Sequence, residues 1–412
     1  MDHGSLVAPA PTEGHGAWSC DHHVDGFRQR LADLGYPPRT IKARLRVVSA
    51  LVRWMREERV PLGGLEEGRA AAFVATRRRL GRHCDGYEHT ICQFIEWLGS
   101  AGAAPAPTRD DSPATVLLAR YEDHLRRERG LAEGTVTSYR RFVRPFVLER
   151  LGDGLAGAGR IDAQVVRDFL LAGVRRRAPR YAQFVAKSLR SFLRFLFRHG
   201  ATAADLSLAV PTVRRWRFSD VPRYVSAEDV ERLLGACDRS TATGRRDHAI
   251  LLLLARLGLR AGEVVALELD DLRWRDGEIV VRGKGLVHDR IPLLPDVGAA
   301  LALYLRKDRP DARSRRVFLR ATAPRRGFYG AGAVSLIVKR AFARAGLHPR
   351  CRGAHTLRHS LATALVRRGA SMAEIGEVLR HRSPDTTAIY AKLDFDALRE
   401  VALPWPATGG ER

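Results

Sequence analysis

The chain has 412 residues, of which 45% are apolar, enough for two or three domains with real cores and too apolar for a disordered protein. Its net charge of +24 favours a polyanionic partner, nucleic acid first, and is too large to serve solubility alone. There is no run of about 18 apolar residues and no signal peptide at MDHGSLVAPA, which argues against the acidic membrane as rival partner.

The first twenty residues lack periodicity and read as a flexible tail, with His22 and His23 at its edge. An internal repeat follows. GYPPRTIKARLRVV (35–48) lines up with GLAEGTVTSYRRFV (130–143), and FIEWLGSAGA (94–103) with FLRFLFRHGA (192–201). Apolar residues at steps of three and four predict a bundle of about four amphipathic helices in each copy, with Thr40 and Thr135 as N-caps. The expected modules are 21–104 and 105–210, joined by the Pro-rich APAPTRDDSP (104–113). A basic extended linker, 211–224, then carries Arg214, Arg215, Arg217 and Arg223, candidates for lying along a phosphate backbone; a solvated hinge has the same composition.

A third domain is expected over 225–412. Ser226 and Asp229 predict a capping box. HAILLLLARLG (248–258) is apolar all round and predicts a buried helix ended by Gly258. GEIVVRGKGLVHDRIPLL (277–294) alternates β-branched residues about a Gly-Lys-Gly turn and is the one good hairpin signal. The rest is helical, giving a mainly α fold with a small antiparallel sheet. Thr356 to Arg368 reads as a helix closed by Gly369, with His355 and Arg358 sharing a face at its start. Ser371 and Glu374 form a capping box for a helix to about Arg380, leaving His381 just past its end. Ser383 and Pro384 open a third helix that holds Tyr390. Three helix ends can therefore bring His355, Arg358, His381 and Tyr390 together.

Metal chemistry finds little support. The five cysteines are scattered without a C-x-x-C, which suits a reducing cytosol. His355 and His359 have zinc-pair spacing, but the zincin motif needs Glu where Thr356 stands. GLAGAG (154–159) lacks the Lys-Ser/Thr of a P-loop.

The words LGLRAGEV, GKG, HTLRHSLAT and LRHRSPDTTAIY place Arg260, Lys284, His355, Arg358, His381 and Tyr390 in an order that resembles the tyrosine recombinase (phage integrase) family. The resemblance is specific over about 225–395, extends to 105–210 as a core-binding SAM-like module, and is poor over 21–104. One departure is Arg380, where glycine is frequent. The resemblance implies a site-specific DNA recombinase acting in integration, excision or transposition, as in mobile elements. Tyr390 is then the nucleophile that forms a 3′-phosphotyrosyl link. Arg260, Arg358 and His381 hold the phosphate oxygens. Lys284 is the general acid and His355 the general base, and Glu263 supports Arg260. In a chain with only six lysines, Lys284 also stands out because a guanidinium never releases the proton that an acid must give.

The resemblance further implies double-stranded DNA as partner, four protomers on two DNA sites with companion recombinases left open, a cytoplasmic, nucleoid-associated location, and no metal or other cofactor. Three alternatives stay open at the sequence level: a type IB topoisomerase-like relaxing enzyme, a non-catalytic DNA-binding protein of the same fold, and a metal-dependent nuclease.

Overall fold

Apolar spacings of three and four run through most of the chain, and helices follow them. The computed structural model describes residues 21–81, 86–104, 111–174, 179–212, 222–283 and 288–393. Among these the elements are sixteen α-helices and one three-stranded sheet, the expected mainly α class. The chain divides into two compact units, Trp54–Arg217 and Phe218–Arg412 together with Met1–Arg53.

The first copy of the repeat comprises α1 (Asp21–Asp33), α2 (Pro38–Glu57), α3 (Glu67–Arg79) and α4 (Tyr87–Ser100). The second comprises α5 (Pro113–Asp123), α6 (Glu133–Arg150), α7 (Ala163–Val174) and α8 (Pro179–Arg198). The matched glycines have matched backbones: Gly35 and Gly130 lie at φ 75° and 57°, Gly102 and Gly200 at 70° and 69°. The N-cap expectation needs correction. Both helices start two residues before Thr40 and Thr135, whose N–H groups bond to the carbonyls of Pro37 and Ala132 at 2.8 Å. The left-handed glycine reverses the chain so tightly that the helix begins sooner than a hydroxyl cap would place it. The division between units falls inside α2, and an Arg325 N–H to Leu34 carbonyl bond of 2.8 Å ties the turn after α1 to the C-terminal part of its unit.

The unit Trp54–Arg217 has its best-defined core where Tyr121 of α5, Phe146 of α6, and Phe192 and Phe195 of α8 pack ring against ring. The C-terminal part of the other unit begins with α9 (Ala227–Gly235), α10 (Ala242–Arg256) and α11 (Ala261–Ala266). Ser226 caps α9 as expected, but Asp229 turns to Arg232 (3.1 Å), so only half of the capping box forms. In α10, residues 249–255 are all buried, and Gly258 at φ 60° ends the segment. The helix starts earlier than its apolar stretch, because Thr241 caps it through Gly244 N–H.

The sheet is an antiparallel meander of β1 (Leu272–Arg273), β2 (Glu278–Arg282) and β3 (His288–Pro292), with Val281 opposite Asp289 and Arg282 opposite His288. The pairing of β2 with β3 is the expected one, while residues 284–287, at the expected Gly-Lys-Gly turn, lie outside the described residues; β1 is a two-residue strand too short to show alternation. Ile279 and Val281 face the core shared with α10, α12 (Pro295–Lys307) and α13 (Ala331–Arg344). The chain continues through α14 (Ala354–Arg367), α15 (Met372–Val378), α16 (Pro384–Thr387) and a 3₁₀ segment, Ala388–Leu393. Two details of the last elements differ from expectation. The Ser383 hydroxyl makes no cap bond, because the Ser383 carbonyl already receives Thr386 N–H at 2.9 Å. Tyr390 lies in the 3₁₀ segment rather than on the α-helix.

Candidate active site

The geometry begins at Gly258. A Cβ there would meet Leu379 Cδ2 at 2.9 Å and Leu361 Cδ2 at 3.0 Å, so the missing side chain lets the end of α10 close onto α14 and α15. The Gly258 carbonyl then accepts Arg358 Nη1, while Arg358 Nη2 donates to the carbonyl of Leu379. Arg358 is buried on α14 and held by two backbone carbonyls. Burial, then the charges of Arg260 and Arg380, push its pKa down to about 10, so it stays cationic at neutral pH.

Arg260 occupies the N-cap position of α11, and Glu263 reaches back from the third helical position. The Glu263 carboxylate accepts the Arg260 backbone N–H (2.8 Å) and Nη1 (2.7 Å), and pairs with Arg380 Nη2 at 3.1 Å. Burial alone would raise the pKa of Glu263. Hydrogen bonds from Arg260 and the charges of Arg380 and Arg260 outweigh burial and hold it below the usual range. One carboxylate thus braces two guanidiniums beside a third.

Helix α15 ends in a Schellman motif: His381 N–H bonds to the Gly376 carbonyl (2.8 Å) and Arg380 N–H to that of Glu377 (2.9 Å). The motif requires a left-handed residue, and Arg380 fills it at φ 54°. Glycine occupies this conformation without steric cost, which is the physical reason it is frequent there. The motif fixes His381 just beyond the helix. Its Nδ1 pairs with Thr387 Oγ1 at 2.8 Å, leaving Nε2 for a ligand. Burial and then the charges of Arg358 and Arg260 bring its pKa down to about 4.

Tyr390 is 1% exposed, packed with Ala362, Val366, Ile375, Leu379 and Leu393, and its ring stacks on His381 at 6.5 Å. Its hydroxyl bonds to His359 Nδ1 at 2.7 Å. Burial pushes the phenol up to about 12, and pushes His359 down to about 4 with help from His355 and Arg358. The imidazole is therefore neutral near pH 7, and with Nδ1 unprotonated it accepts the phenol's hydrogen bond.

Arg260, Glu263, Arg358, His381 and Tyr390 thus converge, all from one unit. His355 lies on α14 one turn before His359, with rings 6.3 Å apart, but it is exposed while Arg358 is buried. The face that their spacing suggests is therefore only partly shared. His359 was missed by sequence reasoning. Its signal was adjacency to Arg358 and the i, i+4 step from His355, which suggests only a metal pair. A cavity of about 880 Å³ opens beside His381, lined among others by His288, Arg290, Arg380 and Arg382. Lys284, Arg214, Arg215 and Arg217 lie outside the described residues. Arg223 is exposed and its Nη1 donates to Cys351 Sγ at 3.4 Å.

Comparison with known proteins matches residues 223–396 to the phage integrase family and residues 118–200 to the phage integrase N-terminal SAM-like domain. A putative integrase/recombinase, y4rA of Sinorhizobium fredii, is 42% identical over 93% of this chain and 94% of its own length. The tyrosine recombinase XerD of Listeria monocytogenes is 32% identical over 66% of this chain and 93% of its own length. The structure of a lambda integrase (residues 75–356) dimer bound to a COC′ core site matches at 18% identity and TM-score 0.51, covering 71% of this chain and 99% of that one. No described helix is long and apolar enough to cross a membrane.

Proposed function

The chain belongs to the phage integrase family, and from that premise we propose that it is a site-specific DNA recombinase that cuts and rejoins strands through a tyrosine–phosphate bond. The observation that carries this reading is the convergence of Tyr390, His359, Arg358, Arg260 and His381 around one point. Three guanidiniums gather around a single carboxylate, which pairs with only Arg260 and Arg380, so the cluster is over-cationic and suited to a dianionic phosphate transition state.

The Tyr390 oxygen attacks phosphorus, and its proton leaves through His359 Nδ1, with His355 one turn further along as the general base. The bond from phosphorus to the 5′-oxygen breaks, and Lys284 gives that oxygen a proton. The product is a 3′-phosphotyrosine and a free 5′-hydroxyl, and attack by a second strand's 5′-hydroxyl reverses every step. Arg260, Arg358 and His381 Nε2 hold the non-bridging oxygens. The cavity beside His381, where Arg290, Arg380 and Arg382 outnumber Asp289 and Glu377, supports a phosphate path to this point.

Without DNA the reaction is poorly driven. Burial holds the phenol above its ordinary pKa and the imidazole below its own, and both shifts oppose proton transfer from Tyr390 to His359. The phosphodiester anion, and the further negative charge that develops on it during attack, raise the histidines, and bonding to phosphorus removes the need for a free phenolate. The nucleophile is thereby kept idle until substrate arrives.

The domain reading accompanying this function is a pair of helical DNA-binding modules (21–104 and 105–210), a basic linker (211–224) bearing Arg214, Arg215, Arg217 and Arg223, and a catalytic domain (225–412). Double-stranded DNA is the partner, and the chain works as a DNA-associated homo-oligomer, four protomers holding two sites, with companion recombinases compatible with the same assembly. The experiment incubates the full chain with two distinguishable duplexes and a supercoiled plasmid. Covalent joining of one duplex to the other supports recombination. Relaxation of the plasmid with no exchanged product supports the topoisomerase-like alternative instead.

A further inference from the structure

The turn that follows α5, His124–Glu128, is a π-turn, closed by Arg129 N–H on the His124 carbonyl at 3.2 Å. Such turns recur at functional sites because the widened ring redirects side chains. Here it directs His124 inward. The imidazole is 5% exposed, and its Nδ1 makes no hydrogen bond although Glu128 Oε2 lies 2.8 Å away, off the ring nitrogen's bonding direction. A buried nitrogen left this way is costly, of order 1–3 kcal/mol. From the end of α8 comes His199. Its Nδ1 is 2.9 Å from the Phe195 carbonyl, which can only accept, so Nδ1 carries the proton and Nε2 the free lone pair. That Nε2 is 4.0 Å from Glu128 Oε1. One donor atom from each of the three residues lies within 4.8 Å of the others, and a cavity of about 560 Å³ opens on them.

We propose that His124, Glu128 and His199 bind one divalent first-row transition metal, with the remaining coordination position open to this cavity. Two neutral imidazoles and a carboxylate form a borderline donor set that suits Zn²⁺ and its neighbours, whereas Mg²⁺ and Ca²⁺ prefer oxygen alone. The Phe195 carbonyl fixes the His199 tautomer, as outer partners of metal-bound histidine do. Glu128 is exposed enough to rotate, so the donors can close to the roughly 3.3 Å spacing of ligands around zinc. The metal joins the turn after α5 to the end of α8, clamping the second helical module. It is separate from the catalytic cluster, which belongs to the other unit and takes its charge from arginines. Sequence spacing hid the site, because His124 and His199 lie on different helices.

The test uses the full chain, stripped with EDTA and dialysed, titrated with Co²⁺ while its d–d absorption is followed, then with Zn²⁺ in competition. One equivalent of Co²⁺ with tetrahedral absorption, displaced by Zn²⁺ and weakened at least as much as the roughly 10–100-fold that loss of an outer partner costs, in both His199→Gln and Glu128→Gln, is the expected result. Circular dichroism of each variant establishes that it is folded; these two are chosen because His124 is buried and its loss endangers the core. Absence of stoichiometric binding overturns the proposal. So does binding that persists undiminished in both folded variants, which would assign the metal to other histidines such as His22 and His23.

Discussion

Arg380→Gly and Arg380→Ala remove the same side-chain contacts but leave different backbones. The lost contacts are the 3.1 Å ion pair with Glu263 and longer bonds to the carbonyls of Leu257, Gly258 and Val378. Breaking a buried pair typically costs about 3–5 kcal/mol. Here the cost falls lower, about 1–3 kcal/mol, for three reasons. Glu263 keeps Arg260, the Arg380 charge works against Arg358, and Arg380 Nε is buried without a partner. Both variants lose this much. They differ at φ 54°, where a Cβ costs about 1–2 kcal/mol and glycine costs nothing. Glycine gives back about 0.5–1 kcal/mol through the freer unfolded chain. The glycine variant is therefore expected to be the more stable by roughly 0.5–1 kcal/mol, a melting midpoint about 1–4 °C above that of the alanine variant. Thermal unfolding of both, in one buffer, checks this. If alanine melts at or above glycine, the left-handed cap is not what fixes His381.

His359→Phe is expected to slow strand cleavage by about 10²–10⁴-fold while DNA binding holds, and His359→Gln, which accepts the hydrogen bond but cannot take the proton, by nearly as much; wild-type cleavage by the Phe variant removes His359 from the proton path. Lys284→Ala is expected to be inactive on ordinary DNA and rescued by a 5′-bridging sulfur, a leaving group that needs no proton; failure of rescue takes Lys284 out of the acid role. The pH dependence of stability follows from His359 and His381, near 4 when folded and about 6.5 when unfolded. Between those values the unfolded chain binds more protons, so their contribution is complete above about pH 6.5 and is lost as the pH falls toward 4. The melting midpoint of the DNA-free protein should drop across that window, with a shallower slope in a His359→Gln, His381→Gln double variant; an unchanged slope refutes the assignment.

Local signals were legible. Arg260 with Glu263, the capping box at Ser371 and Glu374, the buried α10 and the β2–β3 hairpin each depend on residues within a few positions of one another. What the chain concealed depends on distant approach. The Tyr390–His359 bond forms only because the 3₁₀ segment folds back across α14. The Gly258 contact with Leu379 is a clash avoided between residues more than a hundred positions apart. Arg380 stands out in the sequence only as a departure from glycine, and an arginine by itself does not announce the left-handed backbone that positions His381. Thr40 and Thr135 misled because a cap-forming residue near a turn does not say which residue starts the helix.

The most direct measurement is the covalent one. The purified chain is incubated with a nicked substrate whose short cleaved fragment diffuses away, trapping the enzyme on DNA, and the attached peptide is sequenced. A DNA 3′-phosphate joined to the peptide bearing Tyr390, with a free 5′-hydroxyl at the cut and no adduct from Tyr390→Phe, is the predicted outcome. An adduct on another residue, a 5′-phosphate linkage, or cleavage that leaves no protein on the DNA contradicts it.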